Sequence, residues 1–117
     1  MSAPGITKKL THPDMPDPMI LERISERLKR ALDAEHVLVY GSVSRGEATV
    51  HSDIDLLVVA PSGEKGYQRM ARARGVIRDL SFGLPISPLV LTPDELRQRL
   101  KVGDPFVQEI IESGVEL

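Results

Sequence analysis

Two short apolar runs set the frame of this chain: Val37-Leu38-Val39-Tyr40, and Ile54 through Val59. Both are too short for core helices and each is stopped by turn residues, Gly41-Ser42 after the first and Ala60-Pro61-Ser62-Gly63 after the second. They read as strands. A third run, Ile86 to Leu91, carries Pro88 and follows Pro85, and a residue without a backbone donor belongs at a sheet edge. The segments around them carry helical periodicity. Asp17 can cap a helix that Pro18 opens, with Ile20, Ile24, Leu28 and Ala31/Leu32 at helical spacing. Its remaining positions alternate in charge, as a solvated face does. A second helix is predicted from Gly66 to Asp79, with Tyr67, Met70, Ala73/Arg74, Ile77 and Leu80 on one side and Gly83 as its breaker. Thr92-Pro93-Asp94-Glu95 is a capping box that starts a third helix, and Asp104-Pro105 starts a last one that ends before Gly114. The order α-β-β-α-β-α-α predicts a small α/β or α+β sheet domain.

Length and composition narrow the class. With 117 residues the chain is one domain, expected over 17–117, and Pro4, Pro13 and Pro16 mark residues 1–16 as a leader. Aromatics are scarce, two Tyr, two Phe and no Trp, so aliphatic residues must build the core. The formal net charge of −2 gives no basic field for nucleic acid, which makes a nucleic acid partner the least supported class. Cysteine is absent, which excludes disulfides, thiolate metal sites and thiol nucleophiles. No run of about 18 apolar residues offers a membrane span. The first residues lack the apolar core of a signal peptide, so the expected location is cytoplasmic.

Between the first two strands lie Gly41-Ser42-Val43-Ser44-Arg45-Gly46 and then Ser52-Asp53-Ile54-Asp55. Asp53 and Asp55 stand two apart at the head of a strand, so their side chains share a face, while Ile54 and Leu56 point to the core. Two carboxylates side by side repel unless a cation lies between them, and Mg²⁺ favours such an oxygen-rich, partly hydrated corner. Gly41 lets the chain turn off its strand. Free N–H groups at the start of a short helix opened by Ser42, with its hydroxyl, would suit phosphate. Gly-Ser alone is usually a turn and Asp-x-Asp alone a chance match; order, spacing and flanking strands make the combination specific.

Gly41-Ser42, ten intervening residues, then Asp53-Ile54-Asp55 resembles the signature of the polymerase β-type nucleotidyltransferases, with Arg45-Gly46 and Ser52 in the usual surroundings. Thr92-Pro93-Asp94-Glu95-Leu96 and Asp104-Pro105-Phe106 with Gly114-Val115 resemble the C-terminal part of the family's minimal members, so about residues 19–117 are covered. The resemblance implies a small mixed sheet flanked by helices and transfer of an NMP, AMP from ATP first among them, to a hydroxyl. Asp53 and Asp55 would be catalytic and hold two Mg²⁺ ions. Gly41, Ser42, Arg45 and Ser52 would bind the nucleotide. It also implies an antitoxin-like role beside a small helical HEPN-type partner, with a partner tyrosine as acceptor.

One departure stands out. The family's third carboxylate, counted back from Thr92-Pro93, falls on Ser87, whose hydroxyl stays protonated at neutral pH and is no base. Asp79, Asp94 and Glu95 lie nearby in sequence, but Asp94 and Glu95 suit the first turn of a helix. A second subunit, another copy of the chain or a different protein, could complete the site. The alternative is a degenerate module of the same fold that binds nucleotide or protein. His51 would sit near the carboxylates, where a lone loop histidine is usually just solvated. Arg69, Arg72, Arg74 and Arg78 read first as a solvated helix face and second as a docking surface.

Overall fold

The computed structural model describes residues 17–41, 44 and 53–117. The leader 1–16 and the positions Ser42, Arg45, His51 and Ser52 lie outside them. Helix α1 spans Pro18–Leu32, followed by strands β1 (His36–Tyr40) and β2 (Ile54–Val59). Helix α2 (Gly66–Val76) leads to β3 (Ile86–Leu91), and helices α3 (Pro93–Lys101) and α4 (Pro105–Ser113) precede a two-residue strand, β4 (Val115–Glu116). The sheet is mixed, in the order β3-β2-β1-β4. β1 runs antiparallel to β2 and β4, and β2 runs parallel to β3.

Three helix starts are fixed by local chemistry. The Asp17 carboxylate accepts from the Met19 amide at 2.9 Å, and Asp104 accepts from Phe106 at 3.0 Å. Thr92 Oγ1 accepts from the Glu95 amide at 3.1 Å while Glu95 Oε1 accepts from the Thr92 amide at 2.8 Å, which completes the capping box. In each case proline occupies the first turn, where its missing donor costs nothing.

β2 is buried on both faces. Ile54, Leu56 and Val58 join Leu21, Ile24 and Leu28 of α1 and Ala73 of α2 in one core. Leu57 and Val59 join Leu38, Leu91, and Val107 and Ile110 of α4 in a second core on the opposite face. The strand's period of two therefore separates α1 and α2 from α3 and α4. β3 ends the sheet on one side, as its prolines predict, and Pro88 lies opposite Leu56.

Two details differ from the sequence reading. α2 ends at Val76, not at Asp79, and the chain then turns through residues 77–83. Tyr67 does not join the buried side of α2 but is 68% exposed. The α2 arginines are not uniformly solvated either. Arg69 has only 13% of its side chain exposed; its Nε donates to the Glu64 carbonyl at 2.8 Å and its Nη1 to Glu95 Oε1 at 2.5 Å. Arg72 donates to Glu64 Oε1 at 2.6 Å. The Glu64 ties hold α2 to the loop before it, and the Glu95 tie binds α2 to the β3–α3 junction.

Candidate active site at the head of the central strand

The parallel and antiparallel registers bring three side chains into one row across the sheet. Tyr40 of β1 lies opposite Asp55 of β2, and Asp55 lies opposite Ser87 of β3. All three stand on the face that carries Leu38, Leu57 and Leu89, the side of the second core. Asp53 directly precedes β2 and is exposed. Asp55 is part-buried, and its carboxyl is pushed above the ordinary carboxylate range, first by burial and then by the negative charge of Asp53. The Tyr40 hydroxyl is held above its usual range by burial and by Asp55.

Gly41 is required by two independent facts. Its φ is +76°, and a Cβ placed there would meet Asp55 Oδ2 at 2.7 Å. The bare backbone thus passes against the carboxylate. Ser44 is fully buried, and its hydroxyl donates to the Gly41 carbonyl at 2.9 Å, closing the turn. Nothing in the sequence marks Ser44 apart from its neighbours; its role becomes visible only once the turn is formed. A cleft of about 180 Å³ opens beside it, lined by Tyr40, Gly41, Phe106, Glu109, Ile110 and Ser113. The Tyr40 and Phe106 rings meet edge to face at 5.9 Å.

The other acidic residues near β3 in sequence lie elsewhere. Asp79 pairs with Arg27 of α1 at 2.9 Å, on the opposite face. Glu95 is taken by Arg69 and the capping box, and Asp94 pairs with Arg97. The row at Asp55 therefore offers a hydroxyl where a third carboxylate would stand.

Two carboxylates, a hydroxyl and a backbone turn with no Cβ in the way make a corner of hard oxygen donors. Among the described residues no group of three His, Cys, Asp or Glu side chains surrounds a common point. That donor set fits an ion that takes one or two carboxylates and completes its shell with water and phosphate, the habit of Mg²⁺. Asp53, Asp55 and the Ser87 hydroxyl are the groups that would hold it.

Comparison with known proteins identifies the family and the fold. Residues 20–117 match the nucleotidyltransferase domain family. Over 100 residues the chain is 32% identical to a protein of Methanocaldococcus jannaschii whose name, MJ1305, proposes a protein adenylyltransferase; the match covers 79% of this chain and 65% of that protein. The chain thus spans just under two thirds of that relative's length. A crystal structure of a proposed nucleotidyltransferase from Sulfolobus solfataricus shares the fold with a TM-score of 0.55 and 21% identity, over 82% of this chain and 81% of that one. A mutant of the toxin–antitoxin complex MntA-HpeT does so with a TM-score of 0.51 and 21% identity, over 83% and 70%. Those two likenesses speak to the α+β fold. The family match spans β1, β2 and β3 together with the helices that flank them, and by it the chain belongs to the nucleotidyltransferase domain family.

Proposed function

We propose that this domain transfers an NMP, AMP from ATP foremost, onto a hydroxyl acceptor in a Mg²⁺-dependent reaction. The observation that carries the reading is the row Tyr40–Asp55–Ser87 with Asp53 at its mouth and the Cβ-free turn of Gly41 against Asp55. Divalent ions at Asp53 and Asp55 would supply neutralisation of the triphosphate and acidify the acceptor hydroxyl.

The chain's own residues divide the remaining work. Gly41 leaves room for the Asp55 carboxylate against the backbone, and on the resemblance Gly41, Ser42 and Arg45 bind the phosphates. Ser52 leads into the carboxylate pair. Ser44 holds the turn in shape through the Gly41 carbonyl. The acceptor oxygen bonds to the α-phosphorus, the bond to the β,γ-pyrophosphate breaks, and pyrophosphate leaves with its electron pair. The acceptor's proton passes to solvent water, because Ser87 offers no basic lone pair at neutral pH.

The acceptor we favour is a tyrosine of a HEPN-type partner protein. The name of the M. jannaschii relative, which proposes a protein adenylyltransferase, and the likeness to an antitoxin-containing complex support that choice. Incubation with each NTP, Mg²⁺ and a HEPN-type protein from the same genome, read by intact mass spectrometry, tests it. An NMP adduct on the partner that disappears in Asp55→Asn is expected. Unmodified partner with every NTP would rule out transfer to that protein.

A second reading is favoured by Ser87 itself: a degenerate domain that binds nucleotide without turning it over. Ser87→Asp separates the two. Proton abstraction by a placed carboxylate contributes about 100-fold or more, so the variant should accelerate a domain that already turns over. A domain silent before and active after the change would establish the second reading.

A further inference from the structure

We propose that Ser44 is a positioning residue for phosphate binding: it holds the Gly41 carbonyl from inside the protein and so keeps an acceptor out of the anion site. The inference rests on the nucleotidyl-transfer reading above. Among the described residues Ser25 and Ser44 are the buried polar side chains, and Ser44 is 1% exposed. A buried hydroxyl needs a partner, and alanine would fill the same space without one. The partner of Ser44 is the Gly41 carbonyl, which accepts from its hydroxyl at 2.9 Å. A serine that bonds to the carbonyl three residues back is common. Its burial and the glycine it holds set this one apart.

Gly41 is the residue that most needs such a hold. Its φ of +76° and its missing Cβ let the backbone pass against the Asp55 carboxylate, where a Cβ would stand 2.7 Å from Oδ2. The freedom that permits this passage also leaves the backbone with little to oppose its rotation, because glycine populates positive and negative φ about equally. A Gly41 carbonyl that turned toward Asp55 would put a second electron-rich oxygen in the corner.

The two oxygens are not equivalent there. The Asp55 carboxylate is answered by a cation. A neutral carbonyl oxygen facing phosphate oxygens has no hydrogen to share with them. A phosphate site works by presenting N–H groups, and across a planar trans peptide the N–H points opposite to the carbonyl. A carbonyl bound on the inner side is therefore the arrangement that suits an anion. On this account the Ser44 hydroxyl governs affinity for the phosphates, beyond closing the turn.

Ser44→Ala and Ser44→Thr test it, with Thr92→Ala as a destabilised control at the far end of β3. Threonine keeps the donor, since its Oγ1 can reach a carbonyl one turn back. Mg-ATP and inorganic Mg-tripolyphosphate are titrated into each protein by calorimetry, at a temperature where thermal melting shows it folded. Ser44→Ala should weaken both ligands by the same factor, about 10-fold. Ser44→Thr and Thr92→Ala should bind both as the wild type does. If Ser44→Ala does not fold, Ser44→Cys takes its place: a thiol is a weak donor, so both affinities should fall below those of Ser44→Thr. Wild-type affinity in folded Ser44→Ala would overturn the inference and leave the transfer reading intact. A loss confined to ATP would overturn it too, by placing the effect at the nucleoside. An equal loss in Ser44→Thr or Thr92→Ala would reduce it to packing or stability. A wild-type protein that binds neither ligand would remove both the inference and the reading beneath it.

Discussion

The two ends of the sheet treat charge in opposite ways. At the Pro61–Glu64 end three arginines each have an answering carboxylate: Arg69 with Glu95, Arg72 with Glu64, Arg97 with Asp94. Glu95 and Glu64 are accordingly held below the ordinary carboxylate range, by Arg69 and Arg72 respectively. At the other end Asp53 and Asp55 stand two residues apart with no basic partner among the described residues, and Asp55 is pushed upward, first by burial and then by the charge of Asp53. A hollow of about 220 Å³ at the paired end includes Arg69 and Arg72 in its lining, whose charge is already spent inside the protein. Paired charges hold a fold together; a pair of like charges left in place points to a ligand that completes it.

Removing one member of the unpaired set should separate activity from stability most sharply. On the proposed function Asp55→Asn deletes a ligand of a metal that would contribute several kcal/mol to the transition state, so adduct formation should fall on the order of 1,000-fold. Relief of the like-charge contact should meanwhile raise Tm by up to about 4 °C. The pH dependence carries the same sign. A folded-state carboxyl above its unfolded value holds a proton longer in the folded chain. Its contribution to stability falls as pH rises from the ordinary carboxylate range through the raised value. That slope should vanish in Asp55→Asn melts; a Tm lower than wild type at pH 7 would break the contrast.

Gly41→Ala comes next. The left-handed backbone costs about 1–2 kcal/mol for a residue with a Cβ, and that Cβ would displace the Asp55 carboxylate. A displacement near 1 Å costs about 100-fold in rate, so both Tm and adduct formation should fall. Unchanged activity would mean that Asp55 does not need its present position.

At the paired end the same kinds of change should touch stability alone. Arg69→Ala leaves the Glu64 carbonyl without its side-chain donor and Glu95 with the Thr92 amide alone, and should cost about 1.5–3 kcal/mol by denaturant titration. The stabilisation from Glu95, whose pKa is lowered, is present above the ordinary carboxylate range and fades as pH falls through its lowered value. Thr92→Ala removes the cap and should cost about 1 kcal/mol, roughly 4 °C in Tm. Loss of nucleotide binding in either variant at a temperature where it remains folded would blur the division between the two ends.

How much was readable in the sequence follows the same division between local and distant causes. Asp17-Pro18, Thr92-Pro93-Asp94-Glu95 and Asp104-Pro105 predict helix starts that the structure contains, because a cap is satisfied within three residues of itself. Pro85 and Pro88 likewise announce the edge position of β3. β4 escaped, since two residues pair with Leu38 and Val39 only after α4 has brought them back across the chain. The end of α2 escaped because Ile77 and Leu80 continue a helical period although their backbone has left the helix. The carboxylates and Gly41 could be named from spacing. The neighbourhood of Asp55 and Ser87 followed only by alignment to a family pattern until the β2–β3 register placed them side by side. Arg69 and Ser44 carry no sequence signal for their surroundings, because one is defined by residues 26 positions away and the other by the turn that buries it.

On the proposed function the carboxylate end is a metal-dependent nucleotide site. Calorimetric titration of ATP with and without Mg²⁺, into the wild type and the Asp53→Asn/Asp55→Asn double variant, tests it most directly. Binding should require Mg²⁺ and be lost in a variant that melts no lower than wild type. Binding of equal strength in the double variant, or none in the wild type, would contradict it.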